Sequence, residues 1–466
     1  MENNTQLKEM IRSMVIDVLQ GQKQETASSQ SVKQVSRGQE PGVFDTVDEA
    51  IRAAKEAQLR FEDCTLATRE KVIADIRAAM RPRVQELAQK TVEETGMGRV
   101  ADKVLKLNLT LNKTPGVEDL VTECETGDNG MTLYELSAYG VIGAITPSTN
   151  PAETLICNSI GMLAAGNAIF FSVHPGAKNL SRELVSELNQ VIAKSIGIEN
   201  LIVTLREPSI ESAQEMMLHP DVSLLVVTGG PGVVKQALQS GKKVIGAGAG
   251  NPPAFVDETA DIKKAAQDIV LGASLDNNIL CIAEKSVVAM RQIEPQLVQE
   301  MVKVGCVLVD NQQDIQRLVD LTVLPNGTPN KQFVGKNASV ILDAAHIPYN
   351  GDPRLIILRT PKDHPFAVIE MLMPILPVIT VDTFDEGLNV CLMLEAGLHH
   401  TATMHSLNME RLNQMARKMK TSIFVKNGPS YAGLGFSGEG TTTFTIATPT
   451  GESTTSARCF ARRRRC

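Results

Sequence analysis

The chain carries no excess of positive charge. Its 46 Lys and Arg stand against 53 Asp and Glu, a net charge of −7, which excludes a nucleic-acid or anionic-membrane partner held by general electrostatics. Eight cysteines (64, 124, 157, 281, 306, 391, 459 and 466) form no C-x-x-C pair and no spaced metal cluster. That excludes a disulfide framework and fits a reducing cytosol. No apolar run reaches about 18 residues, and no basic-then-apolar leader opens the chain, so a soluble intracellular protein is expected. Tryptophan is absent and aromatics are 3%, whereas glycine reaches 34. This is the balance of an α/β enzyme, and 466 residues allow two or three domains with ample core.

Residues 4–20 repeat Leu7, Met10, Ile11, Met14, Val15, Val18 and Leu19 at three- and four-residue spacing, the pattern of an amphipathic helix. Residues 21–42 are rich in Gln, Ser, Lys and Glu and read as a flexible linker. A short helix on such a tether reads as a docking tag; the alternative is a helix that packs on its own domain. From Val43 to about Asn112 the pattern is helical, with an Asp N-cap signal at DTVDEAIRAAKEAQLRF and one long periodic run at TREKVIADIRAAMRPRVQELAQKTVEET. Residues 131–139 alternate as a strand. Beyond them, VIGAITP, AIFFSVHP, LIVTL, SLLVVTGG and KKVIGAGAG are short apolar runs ending in Gly, Pro or small polar residues. Helical segments separate the first three, which predicts βαβ units in a parallel sheet buried on both faces. A second α/β region is expected from about Asn251 to Pro429.

Ligands of such sheets bind beyond the carboxyl ends of the strands. The candidates there are Thr146-Pro147-Ser148-Thr149-Asn150-Pro151, His174-Pro175 and Thr228-Gly229-Gly230. The last leads into VVKQALQS and could seat a phosphate on a helix N-terminus; the alternative is ordinary strand-to-helix turns. Gly433, Gly435 and Gly438 form the one G-x-G-x-x-G, but TTTFTIATP comes after them in place of a helix, so it is rejected as a dinucleotide loop. His399, His400 and His405 lack accompanying Cys or carboxylate ligands and give no metal site. Arg462 to Arg465 are expected to line a strand or tail.

The stretch with the most chemistry is SLDNNILCIAEK, Ser274 to Lys285. It sets one thiol, Cys281, behind the polar turn Asp276-Asn277-Asn278. Nucleophilic catalysis needs a thiolate, and backbone amides and dipoles are expected to lower the thiol's pKa by about two units. The competing reading is a buried structural cysteine.

Several segments in order bear on that choice: ETGMGRVADK, TGDNGMTLYE, ITPSTNPAET, VVTGG, GAGAGNPPAFVDETAD, SLDNNILCIAEK, HPFAVIEMLMPILPV, EAGLHHTATMHS, TSIFVKNGPS and GEGTTTFTIATPTGE. With them the chain from Val43 onward resembles the aldehyde dehydrogenase superfamily, and within it the CoA-acylating enzymes of ethanolamine- and propanediol-utilising bacterial microcompartments. The resemblance implies a Rossmann-like parallel-sheet cofactor domain (43–125 and 143–250), an α/β catalytic domain (251–430) and a small β oligomerisation element (126–142 and 431–466). It implies that Cys281 is the nucleophile and that Thr228-Gly229-Gly230 is the nucleotide turn. Glu370 is then the glutamate that holds the nicotinamide ribose, and Thr146, Pro147, His174, Pro175 and Gly248 lie on the cofactor side. The TPSTNP loop corresponds to the oxyanion loop, with Thr149 at the position of the side-chain donor and Asn150 one place later. His364 is either an acid/base or positioning residue, or a structural histidine before a proline.

The resemblance implies NAD as cofactor, CoA as co-substrate and a short aldehyde, acetaldehyde or propionaldehyde, as substrate. It also implies a homodimer or homotetramer in the lumen of a microcompartment in the bacterial cytoplasm. Residues 1–20 resemble an encapsulation peptide that binds shell protein or cargo, and the chain ends at Cys466, slightly short of the usual family end. Hydrolytic relatives carry a glutamate in an E-L-G-G-K segment to activate water, and Gly246 stands at that place here. Without that base a thioester can survive until a thiol attacks it. The K-P-x-E pattern for the adenosine ribose is replaced by His174-Pro175-Gly176-Ala177. The competing functions are a hydrolytic or phosphorylating dehydrogenase of the same fold and a non-catalytic compartment scaffold.

Overall fold

The computed structural model describes residues 40–466. The expected helix over 4–20 and the linker up to residue 39 lie outside the described residues. Six strands, β1 (Val43–Phe44), β4 (Val141–Thr146), β5 (Ala168–Val173), β6 (Ile202–Leu205), β7 (Val222–Thr228) and β8 (Lys243–Ala247), form one sheet in the order β1-β6-β5-β4-β7-β8. Every pairing is parallel. β5 is buried at all six positions, as a strand covered by helices on both faces must be. The chain steps outward from β4 through β5 and β6, then returns to the other side of β4 with β7. That reversal opens a crevice beyond the carboxyl ends of β4 and β7, where Thr146 and Thr228 end adjacent strands.

The helical region ahead of this sheet differs from the expectation in two places. Thr46, not Asp45, caps the helix Val47–Glu62, its side chain accepting the Glu49 N–H. The long run over 68–95 is interrupted at Arg81–Arg83, a 3-10 turn between the helices Leu66–Met80 and Val84–Thr95. Pro82 explains the break, because it has no N–H to give the preceding turn.

The second sheet contains β9 (Pro253–Val256), β10 (Ser286–Met290), β11 (Cys306–Leu308), β12 (Leu355–Arg359), β13 (Ile375–Val381), β14 (Thr401–His405) and β15 (Ile423–Lys426). Its order is β11-β12-β13-β10-β9-β14-β15, again wholly parallel. A third, antiparallel sheet joins β2 (Glu123–Gly127) and β3 (Gly130–Ala138) to β18 (Ala461–Arg465). The arginine run therefore forms a strand. Arg463 pairs with Glu123, Arg464 bonds Glu135 at 2.7 Å, and Arg463 and Arg465 flank the Tyr134 ring. Gly433 lies in the 3-10 turn Ser430–Leu434. The chain then enters the short pair β16 (Ile446–Ala447) and β17 (Ser453–Thr454), with no helix directly after the glycines. Among the described residues no helix is long and apolar enough to cross a membrane.

Candidate active site

The helix Ile262–Ser274 runs into the turn Leu275–Asn278, where Asp276, Asn277 and Asn278 have φ of 51°, 55° and 66°. Asp and Asn tolerate this left-handed region better than other side chains, yet three in succession persist only where their surroundings hold them. All three are buried and bonded. The Asp276 carboxylate accepts the Arg99 N–H at 2.9 Å, and its own N–H donates to Asp102 at 2.9 Å. Asn277 donates to the Gly335 carbonyl at 2.9 Å and to Asn337 at 2.8 Å. Asn278 donates to the Ala273 and Glu284 carbonyls at 2.7 and 2.9 Å. The turn reverses the chain and leaves Cys281 partly exposed at the edge of a small apolar cluster. Leu109, Leu280, Ile282 and Leu434 are among its buried members, and Met97, Tyr431 and Phe436, like Cys281, are partly buried against it.

The expected depression of the thiol pKa is not what the structure has. Desolvation, and after it the Glu370 carboxylate, push Cys281 up to about 12. Lys285 and the backbone N–H groups of Cys281 and Ile282 act in the expected direction but are outweighed. Glu370 accepts the Gly250 N–H at 3.1 Å, and burial raises its own pKa. Burial likewise lowers Lys285 to about 8 and raises Glu284, which accepts two bonds from Ser430 at 2.7 Å, to about 7. His400 is fully buried, its ring bonded to Thr401 at 3.0 Å and its Nε2 without a partner. Any Cβ at residue 250 would lie 2.6 Å from the Cys281 carbonyl oxygen and 2.9 Å from the His400 ring, so only glycine fits. Among the described residues no three His, Cys, Asp or Glu are grouped to hold a metal.

Of the strand-end candidates, Thr146 and Thr228 come together. The Thr146 hydroxyl is buried and has no partner, and the Thr228 hydroxyl meets that of Thr445 at 2.9 Å. Pro147 is half-buried beyond β4. Gly230 opens onto free space, a Cβ on Gly229 would meet only Val233 at 3.9 Å, and the two lead into the helix Pro231–Leu238. Gly248 lies under the Pro449 ring. An unpartnered hydroxyl at the end of β4 and the helix N-terminus beyond β7 are features that could receive a dinucleotide's phosphates, and Glu370 carries a carboxylate that could accept from ribose hydroxyls. His174 and His364 share one device. Each stands before a proline, and its Nδ1 accepts a backbone N–H two residues on, from Gly176 at 3.0 Å and Phe366 at 3.2 Å. Burial lowers the pKa of both. His364 thereby has the geometry of a structural cap, with its ring against Phe366.

Sequence reasoning missed two lysines. Lys103 and Lys106, one turn apart on the helix Val100–Lys113, are completely buried beneath both candidate loops. Lys103 donates to the Thr149 carbonyl at 3.1 Å and to Asp276 at 2.9 Å. Lys106 reaches Asp276, Glu153 at 3.0 Å and the Asn150 side-chain oxygen. Asp276 is held ionised by both ammonium groups against the cost of its burial. A signal existed: the helical face 103, 106, 107, 110 puts two lysines in line with Leu107.

At Gly246 the N–H donates to the Thr450 hydroxyl at 2.9 Å, and a Cβ would sit 2.9 Å from a Val234 methyl. Any side chain at residue 246 would have to displace Val234.

The model of the aldehyde dehydrogenase family matches residues 22–445. The chain belongs to that family. It is 51% identical to the propanal dehydrogenase (CoA-propanoylating) of Salmonella typhimurium, over 100% of this chain and 98% of that one. It is 47% identical to the acetaldehyde dehydrogenase (acetylating) EutE of the same organism, over 92% of each. Among solved structures it is similar to the propionaldehyde dehydrogenase of Rhodopseudomonas palustris, seen with bound CoA and an acylated cysteine. There the TM-score is 0.90 and the identity 48%, over 91% of this chain and 97% of that one.

Proposed function

We propose that the chain is a CoA-acylating aldehyde dehydrogenase: aldehyde + CoA + NAD+ → acyl-CoA + NADH + H+. The Cys281 thiolate, whose proton is the one released to solvent in the overall reaction, adds to the aldehyde carbon; the C–S bond forms as the carbonyl π bond breaks, giving an oxyanion that the Cys281 N–H and the Asn150 loop stabilise. Bound NAD would supply the hydride acceptor for this carbon, and Thr146, Gly229, Gly230 and Glu370 are the residues that would hold it. The thioester on Cys281 is then attacked by the CoA thiolate. The bond to Cys281 breaks, and Cys281 leaves as thiolate. Met97, Tyr431 and Phe436, which border the same apolar cluster as Cys281, would supply apolar surface suited to a short alkyl chain.

The observation that carries transfer to a thiol over transfer to water is Gly246, where any side chain, a water-activating carboxylate included, would have to displace Val234. Propionaldehyde is the first substrate to try, since the propanal dehydrogenases match the chain over its whole length. That full-length match, N-terminal segment included, also supports residues 1–20 as an encapsulation peptide and the lumen of a microcompartment as the enzyme's place. The cofactor domain is assigned to 43–125 and 143–250 and the catalytic domain to 251–430; 126–142 with 431–466 would pair copies into a dimer or tetramer.

The test is NADH formation from C2 to C4 aldehydes with and without CoA, in wild type and Cys281→Ala. Turnover that needs CoA, and its loss in Cys281→Ala, are expected; rapid release of free acid without CoA would overturn the assignment. Deleting residues 1–20 should leave activity intact in purified protein while abolishing co-purification with shells.

A further inference from the structure

We infer that Lys106 is the positioning residue that sets the Asn150 side-chain amide with its N–H groups toward the oxyanion, and so makes Asn150, rather than Thr149, the side-chain donor. The inference rests on the aldehyde-oxidising reading above and adds a residue to it.

An asparagine amide can be turned either way, and only its partners decide which end faces the substrate. Lys106 settles the orientation by chemistry. An ammonium group has three donors and no acceptor, so the atom of Asn150 that faces it must be the carbonyl oxygen. The NH2 group is then directed away from the lysine, where one bond, at 3.2 Å, goes to the Thr149 hydroxyl. That contact turns the Thr149 oxygen into an acceptor for Asn150. Its main-chain carbonyl is meanwhile tied to Lys103, so Thr149 is held as part of the support for its neighbour.

The lysine is itself fixed. Its side chain has no exposure, and it forms ion pairs with Asp276 and, at 3.0 Å, with Glu153, both equally buried. Two lysines and two carboxylates make the cluster neutral, the condition under which charges can stay buried. Asp276 opens the turn that carries Cys281, so one ammonium group bonds the nucleophile's loop and the oxyanion's loop together. A shift of either loop would leave a buried charge without its partner. The same bonds that orient the amide therefore also set its distance from Cys281.

The double substitution Lys106→Met with Glu153→Gln removes the orienting group and keeps the cluster neutral, leaving Lys103 on Asp276. NADH formed in a single turnover without CoA reports aldehyde oxidation alone, whichever acceptor later takes the acyl group. A loss of about 100-fold is expected, the size of one missing oxyanion donor. Adding Asn150→Ala should cost less than about threefold more, because the donor is already misdirected. Alkylation of Cys281 by iodoacetamide, which builds no oxyanion, should stay within about twofold of wild type. Activity near wild type, fully additive losses, or alkylation that falls in step with turnover would each overturn the inference. Should the double variant fail to fold, Asn150→Asp decides. It keeps an acceptor facing Lys106 and offers the substrate no N–H, so a loss of about 100-fold in single-turnover NADH is expected. Retained turnover would overturn the inference. Wild-type protein that forms no NADH would overturn the aldehyde dehydrogenase reading itself, whereas wild-type NADH with unaffected variants would overturn only the role of Lys106.

Discussion

Lys285 donates to both oxygens of Asn278, the main-chain carbonyl at 2.7 Å and the side-chain carbonyl at 2.6 Å. Its third donor goes to the Leu280 carbonyl at 3.0 Å. The segment that ends in Cys281 is therefore wrapped around one buried ammonium group, whose positive charge also draws the thiol's pKa downward.

Lys285→Met strands three buried oxygens. We expect a loss of about 3 kcal/mol in urea unfolding, on the scale of leaving buried acceptors unpaired. The pH midpoint of Cys281 alkylation should move upward, because a favourable charge has gone. A midpoint that stays in place would mean that Lys285 only supports the loop.

Glu370→Gln acts on the thiol in the opposite direction. The carboxylate is the second cause, after burial, of the raised Cys281 pKa, and an amide keeps the bond to Gly250 without the charge. Iodoacetamide should alkylate the variant's Cys281 with a lower pH midpoint than wild type.

Glu284 titrates near 7 in the folded chain, above about 4.3 for a free glutamate. A carboxyl raised in this way keeps its proton longer folded than unfolded, so stability is lost as pH rises from about 4.3 to 7. Glu284→Gln cannot ionise, and its carbonyl can still accept from Ser430. Its urea stability should exceed wild type by up to about 3.7 kcal/mol at pH 8, the window of about 2.7 pH units at about 1.36 kcal/mol each, and by little at pH 4.

His400 and His405 are buried and lowered to about 4. The unfolded chain then takes up protons that the folded chain refuses, and stability falls as pH drops from about 6.5 to 4, by up to about 1.4 kcal/mol per pH unit for each histidine. Urea titrations across that window should show His405→Gln with a shallower acid slope than wild type, by about one proton.

The sequence by itself determined the alternation of apolar strands and helices, the ends of those strands, and the loop of Cys281. Each rests on local rules: period, Gly and Pro punctuation, and a segment order specific enough to point to the family. The glycine at 246 was equally legible, because an absent carboxylate needs no coordinates. Only the tertiary structure decided the electrostatics. Desolvation and Glu370, 89 residues further along the chain than Cys281, raise a thiol that local amides alone would lower. The same holds for Lys103 and Lys106, which on a helix read as ordinary solvated charges. Asp276 lies 170 residues beyond Lys106, and their pairing exists because two distant loops close over one helix face. The bond of His364 is local by contrast: its Nδ1 accepts the N–H of Phe366, two residues on, at the start of the turn that Pro365 opens.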